Sequence, residues 1–496
     1  MASEGSTNEG EDSRLRPRVA LEASAGSIDE RPQSSTSKTR ELVQLAWPIA
    51  TAMLGETAIG LVDTKLVGGL GPSALGGVGI ATTLMFLGYS VVFGLMRGVK
   101  VRTAYAIGEG RPADGFVYAR SGLVMGATLG LAVFFAARDV SPLLRLVGAD
   151  PAIIPFARDF LAAVTFGAPS TAMLAALIQH RQAIGDSRTP MIVGIGGNFV
   201  NAFLGWTLIY GHFGFPALGV RGGGYATAIT ETVEVMVMLV LLVRAERALV
   251  ERSLLSLRNA ARAVAELGVP TGLQFMTEMI AFTAFTAVIS GLGQNEIAGH
   301  QIALNVIRVS FLPGVAISEA TSVLVGTALG RRNLAEADEA TKSGLKVAIG
   351  FMAMWGLVFA VLGGSIAQFF SPDSSVVTIA RRLLWVAAVF QVLDAVNIVL
   401  RGALRGAKDV RIAAFIGIGA IWLFVPTAAY FLGKLAGLGA LGGWLGFVGE
   451  TTVSALLFWL RWTRGGWRKP FEEASPDRED DEASPDDAPA NAERAA

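Results

Sequence analysis

Four carboxylates stand inside strongly apolar stretches: Glu56 and Asp63 in GETAIGLVDT, Glu278 in FMTEMIAF and Asp394 in FQVLDAVNIV. At the centre of a lipid-embedded helix each costs about 2.5–3.5 kcal/mol by insertion scales, so something must compensate. Burial favours the protonated form of a carboxyl and a neighbouring cation favours the ionised form. A proton and a cation can therefore compete for one such group. Glu56 and Asp63 are two helical turns apart, on one face and about 10.5 Å from each other along the axis, so they can line one cavity. Asp394 and Asn397 share a face in the same way. Pro48 and Pro270 each remove a backbone hydrogen bond from an apolar helix, which lets the helix bend.

These groups need a scaffold that lies in lipid. Of the 496 residues 52% are hydrophobic and 17% charged, too apolar for a water-soluble domain of this size. Runs near the length of about 20 residues that spans a bilayer recur at 42–66, 75–99, 117–137, 155–178, 190–210, 220–243, 263–291, 297–329, 345–370, 378–400, 411–433 and 438–462. Alternate breaks are rich in arginine, including Arg102, Arg111, Arg181, Arg188, Arg244, Arg247, Arg252, Arg258, Arg331, Arg332, Arg405 and Arg411. Positive loops stay on the side of synthesis, which predicts both termini in the cytoplasm. Arginine outnumbers lysine and Ala and Gly abound, a bias that suggests a bacterial inner membrane.

Residues 1–38 lack an apolar core and 468–496 are polar and acidic, so both read as disordered cytoplasmic tails. Between them the chain divides into lobes at 39–243 and 263–467, joined by a basic connector at 244–262. Lys and Arg balance Asp and Glu, 41 against 41, which gives no basic field for nucleic acid. There is no cysteine, hence no disulfide, thiolate nucleophile or cysteine metal site. His180, His212 and His300 are too scattered for a two-histidine metal motif, and no serine is paired with a histidine by any hydrolase motif. An enzyme is not expected.

The chain repeats. The offset that lays Pro48 on Pro270 also lays Glu56 on Glu278, Leu70-Gly71 on Leu292-Gly293, Gly77 on Gly299, Ile80-Ala81 on Ile302-Ala303 and Gly108 on Gly330. A slightly shorter offset lays Gly223-Gly224-Tyr225 on Gly442-Gly443-Trp444 and Glu231 on Glu450. Each copy holds six spans, an even number, so the two are parallel and related by an axis along the membrane normal. Such halves rock about a central cleft. Under the first offset Arg97 falls on Glu319. Opposite charges at symmetric positions predict a latch between the halves on the cytoplasmic side, formed when the protein faces outward. Glu231 and Glu450 are read as structural.

Several fragments stand in a definite order and spacing: Trp47-Pro48-Ile49 with Gly60-Leu61-Val62-Asp63-Thr64, Ile209-Tyr210-Gly211, Gly268-Val269-Pro270 with Glu278, Ala298-Gly299-His300-Gln301-Ile302-Ala303, and Phe390-Gln391-Val392-Leu393-Asp394 with Arg401 to Gly406. Together they resemble the multidrug and toxic compound extrusion (MATE) family of the polysaccharide-flippase (MOP) superfamily. The resemblance covers nearly everything between the tails. It implies an all-α membrane fold of twelve helices in two six-helix lobes forming a V. It also implies a monomer among membrane lipids that exports amphipathic, cationic organic compounds in exchange for H+ or Na+, with no other cofactor.

It further implies cation or substrate binding at Asp63, Glu278, Asp394, Asn397 and Gln301, with Na+ conceivable at Glu278 and Asp394. Two departures bear on the N-terminal lobe. Glu56 stands where relatives more often have a neutral residue, so it is either a second titratable group or a partner of Lys65 or Arg97. Gly205 stands where many relatives have an acid or amide, leaving Asn198 and Asn201; Asn201 either bonds Asp63 or braces helices. The alternative reading is a flippase for lipid-linked oligosaccharides or other organic solutes in the same superfamily.

Overall fold

A computed structural model describes residues 35–146, 149–249, 252–468 and 471. Most of the two expected tails lies outside these. Among the described residues every regular element is helical, and twelve helices are long and apolar enough to cross a membrane. They are α1 (Ser37–Gly68), α2 (Pro72–Gly108), α3 (Pro112–Ala136), α4 (Ile154–Ala183), α5 (Arg188–Tyr210), α6 (Val220–Arg247), α7 (Leu257–Ser290), α8 (Gln294–Gly330), α9 (Leu334–Phe370), α10 (Ser374–Gly406), α11 (Val410–Leu435) and α12 (Ala440–Thr463).

The count agrees with the apolar runs; the ends do not. Helices 9 and 10 run well past 345–370 and 378–400, because hydrophilic turns continue the helix until a cap stops it. The Asp373 carboxylate accepts from the Ser375 and Val376 N–H groups at 2.7 and 3.4 Å, and Asn333 accepts from Glu336 N–H at 3.0 Å; both are N-caps. The connector is shorter than 244–262, since Arg244 to Arg247 belong to α6 and Leu257 to Arg262 to α7. A 3-10 turn at Thr165–Gly167 interrupts α4, and a π-helical turn at Ala429–Leu435 ends α11. Hydropathy carries no signal for either. Gly71 and Gly293 open α2 and α8 at φ 104° and 133°, a backbone region closed to residues with a Cβ. Their symmetric recurrence is a turn requirement.

Packing repeats as the sequence does. In the first lobe α1 packs on α5, α5 on α6, α6 on α4, and α2, α3 and α4 on one another. In the second, α7 packs on α11, α11 on α12, α12 on α10, and α8, α9 and α10 together. The lobes meet where α2 packs on α7 and α8, and α1 on α8. An even number of spans puts both chain ends on one face of the membrane, called here the termini face. The apolar core shared by the lobes lies in that half, where Leu42, Leu45, Ile49, Val101 and Tyr105 join Ile317, Val323, Leu324 and Leu329. In the other half each lobe has its own core, around Val67, Phe160 and Ile209 in one and around Phe285, Phe359 and Trp444 in the other. The lobes are thus joined at the termini face and part toward the far face, which is the V.

Glycine makes the junction close. A Cβ on Gly94 would stand 2.7 Å from Gly272 N and 2.8 Å from the Thr271 carbonyl, and one on Gly272 would stand 2.7 Å from the Val91 carbonyl. Gly98 and Gly268 face backbone across the same seam, and Gly108 meets Gly330 lower down. Small residues bring membrane helices into this kind of backbone contact. Gly272→Leu is expected to cost at least about 1–3 kcal/mol of overpacking and to part the lobes at the termini face. A single cysteine placed at Ala316, buried in the shared core, should then react with an impermeant maleimide from that face about tenfold faster than in the parent, 1.4 kcal/mol being tenfold. The cysteine-free chain needs no prior substitution for this assay.

Candidate functional site

Three groups of charged side chains lie within the spans. The first is in the C-terminal lobe. Arg401 of α10 places Nη1 2.7 Å from Glu278 Oε1 of α7, and Gln274 Nε2 donates to the same oxygen at 2.9 Å. Arg401 also interacts electrostatically with Asp394 on its own helix and with Glu450 of α12. Asp394 is buried and accepts from Asn397 Nδ2 at 3.4 Å; Glu450 accepts from Ser454 at 3.0 Å. Gly417 of α11 leaves room for this group, since a Cβ there would stand 3.0 Å from Glu278 Oε1. Three carboxylates share one guanidinium.

The second group is in the N-terminal lobe. Glu56 of α1 and Glu231 and Glu234 of α6 lie within electrostatic reach of one another. Glu231 accepts from the Thr171 hydroxyl of α4. Glu234 presses into the space that a side chain at Gly197 of α5 would fill, which turns its carboxylate toward protein. Among the described residues none of the three has an ion-pair partner. Glu56 therefore pairs with neither Lys65 nor Arg97.

The third group closes the junction between lobes. Glu319 of α8, 3% exposed, receives Arg97 Nη2 at 3.0 Å and Lys100 Nζ at 2.7 Å from α2, and Arg405 Nη1 at 2.8 Å from α10. Arg97 also lies 5.4 Å over the Phe275 ring of α7, which meets Phe86 of α2 edge-on at 6.3 Å. Further toward the termini face, Lys38 pairs with Glu336 at 2.7 Å and Arg102 with Glu266 at 3.1 Å, all across the junction. Lys408, outside the spans, sits 3.3 Å over the Tyr105 ring. Burial, and then Arg102, push its amine down to about 8. The folded state thus holds this proton less tightly than the unfolded one. The resulting cost is fully present below pH 8 and fades as the pH rises toward the ordinary lysine range. Acetylation of Lys408 by a water-soluble reagent is expected to rise with a midpoint near pH 8, where an ordinary lysine is still fully charged.

The sequence expectations fare unevenly. Glu278, Asp394 and Asn397 come together, and Arg97 does meet Glu319. Asn201 does not bond Asp63; its amide donates to Thr227 of α6 at 3.2 Å, because α5 packs on α6 along this stretch. Asp63 is half-buried on α1 with no hydrogen-bond partner among the described residues. Asn198 lies against α1, its Nδ2 3.2 Å from where a Gly55 Cβ would be. Gln301 is exposed on α8 and hydrogen-bonds to neither acidic group. Pro48 and Pro270 lie inside unbroken helices.

Sequence reasoning missed Glu234, the roles of Lys100 and Arg405 beside Glu319, and the joining of Glu231 and Glu450 to the acidic groups. Glu234 was within reach, three residues from Glu231 on one helix face. Lys100 and Arg405 were not, for nothing in their spacing says that they converge from two helices.

The MatE family model matches the chain twice, at residues 48–207 and 270–430. The two copies open on Pro48 and Pro270 and together take up more than half of the chain. Solved structures with the same fold include the eukaryotic MATE transporter AtDTX14, at 20% identity, covering 89% of this chain and 98% of that one, with a TM-score of 0.79. A MOP-superfamily transporter from Pyrococcus furiosus, described as having a binding pocket of reversed polarity, matches at 22% identity over 88% and 96%, TM-score 0.78. An outward-facing multidrug resistance MATE transporter matches at 22% over 88% and 97%, TM-score 0.79. With its two matched halves, its twelve spans and its V of parallel lobes, this multi-pass membrane protein belongs to the MatE family.

Proposed function

We propose that the protein is a secondary active antiporter that exports amphipathic, cationic organic compounds in exchange for H+ or Na+. The observation that carries this reading is the excess of carboxylates inside each lobe: three against Arg401 in one, and three with no ion-pair partner among the described residues in the other. Charge of one sign inside a membrane protein marks ion and substrate paths. An organic cation and a coupling ion can occupy such carboxylates in turn but not together.

The arginine-rich turns at Arg111, Arg331 and Arg332 lie on the termini face, which the positive-inside rule assigns to the cytoplasm. The lobes are then closed inward and open outward, with Glu319 and its three cations as the cytoplasmic latch. In the opposite state a cationic amphipath enters from the cytoplasm or inner leaflet and displaces the coupling ion from a carboxylate. The lobes rock, the latch forms, and an ion arriving from outside releases the cargo. The natural setting is a bacterial inner membrane, with the chain acting as a monomer and needing no other cofactor.

Proteoliposomes loaded with ethidium test this. Efflux should follow an imposed proton or sodium gradient and fall to the protein-free rate in the Glu278→Gln/Asp394→Asn double variant. Gradient-driven efflux unchanged in that variant would remove the C-terminal-lobe site from the mechanism. One observation favours a second reading: Arg97, Lys100 and Arg405 outnumber Glu319 and would suit an anionic headgroup. A flippase for lipid-linked cargo would leave ethidium efflux at background and move a fluorescent anionic lipid instead.

A further inference from the structure

The turn between α10 and α11 departs from its counterpart in the first repeat. Lys408-Asp409-Val410-Arg411 stands where the turn after α4 has Gly185-Asp186-Ser187-Arg188. Both turns take a left-handed residue, at φ 62° for Lys408 and 85° for Gly185. Glycine adopts that conformation freely and lysine does not. Strain that persists against an easier alternative marks functional positions, and what lysine adds here is a cation.

That cation lines a cavity. A space of about 250 Å³ on the termini face is walled by Glu266 and Leu267 of α7 and by Lys408, Asp409, Val410 and Arg411. Both acids in the wall are already engaged: Glu266 holds Arg102 at 3.1 Å and Arg262 at 3.5 Å, and Asp409 holds Arg461 at 2.6 Å. Lys408 rests on the Tyr105 ring, and neither it nor Arg411 has an ion-pair partner among the described residues. Five cations thus stand against two carboxylates around one opening. The excess calls for an anion.

Apolar surface leads away from the cavity into the membrane. On α7 the stripe that begins with Arg262 and Glu266 continues as Val269 and Leu273, both 47% exposed; on α11 Arg411 is followed by Ile412 and Phe415, 37% and 78% exposed. Spacings of three and four residues keep each series on one helix face, and α7 packs on α11. Two neighbouring helices thus present a charged rim and an apolar length beyond it.

We propose that this cavity is a binding site for an anionic phospholipid of the cytoplasmic leaflet, its phosphate held by Lys408 and Arg411 and its acyl chains lying along α7 and α11. Arginine meets phosphate through paired hydrogen bonds and lysine meets it as a point charge. The apolar stripes select a lipid over a free phosphate, which gains nothing from them. The arginine-rich turns assign this face to the cytoplasm, where anionic lipids give the leaflet a negative surface potential. Glu266 and Lys408 also hold the other lobe, through Arg102 and Tyr105, so the lipid borders the junction. Its binding depends on neither the cargo nor the coupling ion.

The test is thermal unfolding of the purified full chain in neutral detergent, titrated with phosphatidylglycerol, phosphatidylcholine or glycerol phosphate. Phosphatidylglycerol is expected to stabilise the parent saturably, with an apparent affinity about tenfold or more above the other two. Lys408→Gly/Arg411→Gln should weaken that affinity about tenfold or more, since each interfacial cation adds to the attraction of an anionic lipid. Glycine at 408 suits the backbone, so this variant is expected to fold. Arg244→Gln/Arg247→Gln, which removes two exposed cations from the same face at the end of α6, should leave the affinity unchanged.

Equal affinity for phosphatidylcholine would overturn the proposal by removing the need for charge, and equal affinity for glycerol phosphate by removing the lipid. So would an unchanged affinity in Lys408→Gly/Arg411→Gln, or an equal loss in the α6 variant, which would reduce the effect to general surface charge. Should Lys408→Gly/Arg411→Gln fail to fold, the parent still decides. Phosphatidylglycerol should slow the acetylation of Lys408 near pH 8 severalfold, and phosphatidylcholine should not. Acetylation indifferent to both lipids overturns the site.

Discussion

Glu319→Ala is expected to destabilise the protein by about 3–5 kcal/mol and to abolish gradient-driven transport. Removing one partner of a buried ion cluster leaves uncompensated charge behind, and that is the cost. Here three cations, Arg97, Lys100 and Arg405, lose their common carboxylate, and two of the three belong to the other lobe. Stability is read from unfolding in detergent, and transport from ethidium efflux in proteoliposomes.

A charge swap between Arg97 and Glu319 tests a two-residue latch, and the cluster predicts its failure. An arginine at 319 would face Lys100 and Arg405, so the swap is expected to be no better than Glu319→Arg alone. Recovery by the swap would show that Arg97 is the only partner that matters. The better companion is Lys100→Met. Added to Glu319→Gln, it removes the most deeply buried orphaned cation and should return part of the lost stability, with a coupling of about 0.5–3 kcal/mol.

Arg401→Met is the second large effect. It strips the C-terminal lobe of the guanidinium shared by Glu278, Asp394 and Glu450, leaving three acids without a cation as in the other lobe. Breaking a fully buried pair costs about 3–5 kcal/mol; this one is part-buried, its side chains 19% and 14% exposed, so the loss falls toward the lower end of that range when Glu278 loses its 2.7 Å partner. Turnover should fall to background. Adding Glu278→Gln to Arg401→Met should recover stability but not transport, because the carboxylate that takes part in exchange is then gone. Recovery of both would reduce Glu278 to a structural partner of Arg401.

The membrane fold was legible because its signals are local and strong: apolar runs of spanning length, arginines in alternate turns, and a repeat anchored on Pro48 and Pro270. Glu278 and Asp394 stood out because acids are expensive in apolar helices. What stayed hidden depends on how helices rotate against one another. Asp63 and Asn201 were legible as residues, but whether they meet depends on α1, α5 and α6 packing, and Asn201 turned to Thr227. Arg401 lay within a recognised motif, yet its contact with Glu278 joins residues far apart in the chain. Glu231 and Glu450 were visible as a symmetric pair. Only the faces of α6 and α12 reveal that each joins an acidic group.

The glycine seam between α2 and α7 has a consequence for rate. Where interlocked side chains hold two surfaces, separation must wait for rotamers to release one another. At Gly94, Gly98, Gly268 and Gly272 the lobes touch through bare backbone, so there are no teeth to disengage and little side-chain entropy to regain. The seam behaves as a smooth bearing. Resistance to parting the lobes is then left to the ion pairs that cross the junction, at Glu319, Lys38–Glu336 and Arg102–Glu266, and to the shared apolar core around Leu42 and Ile317, which makes the speed of the cycle responsive to charge.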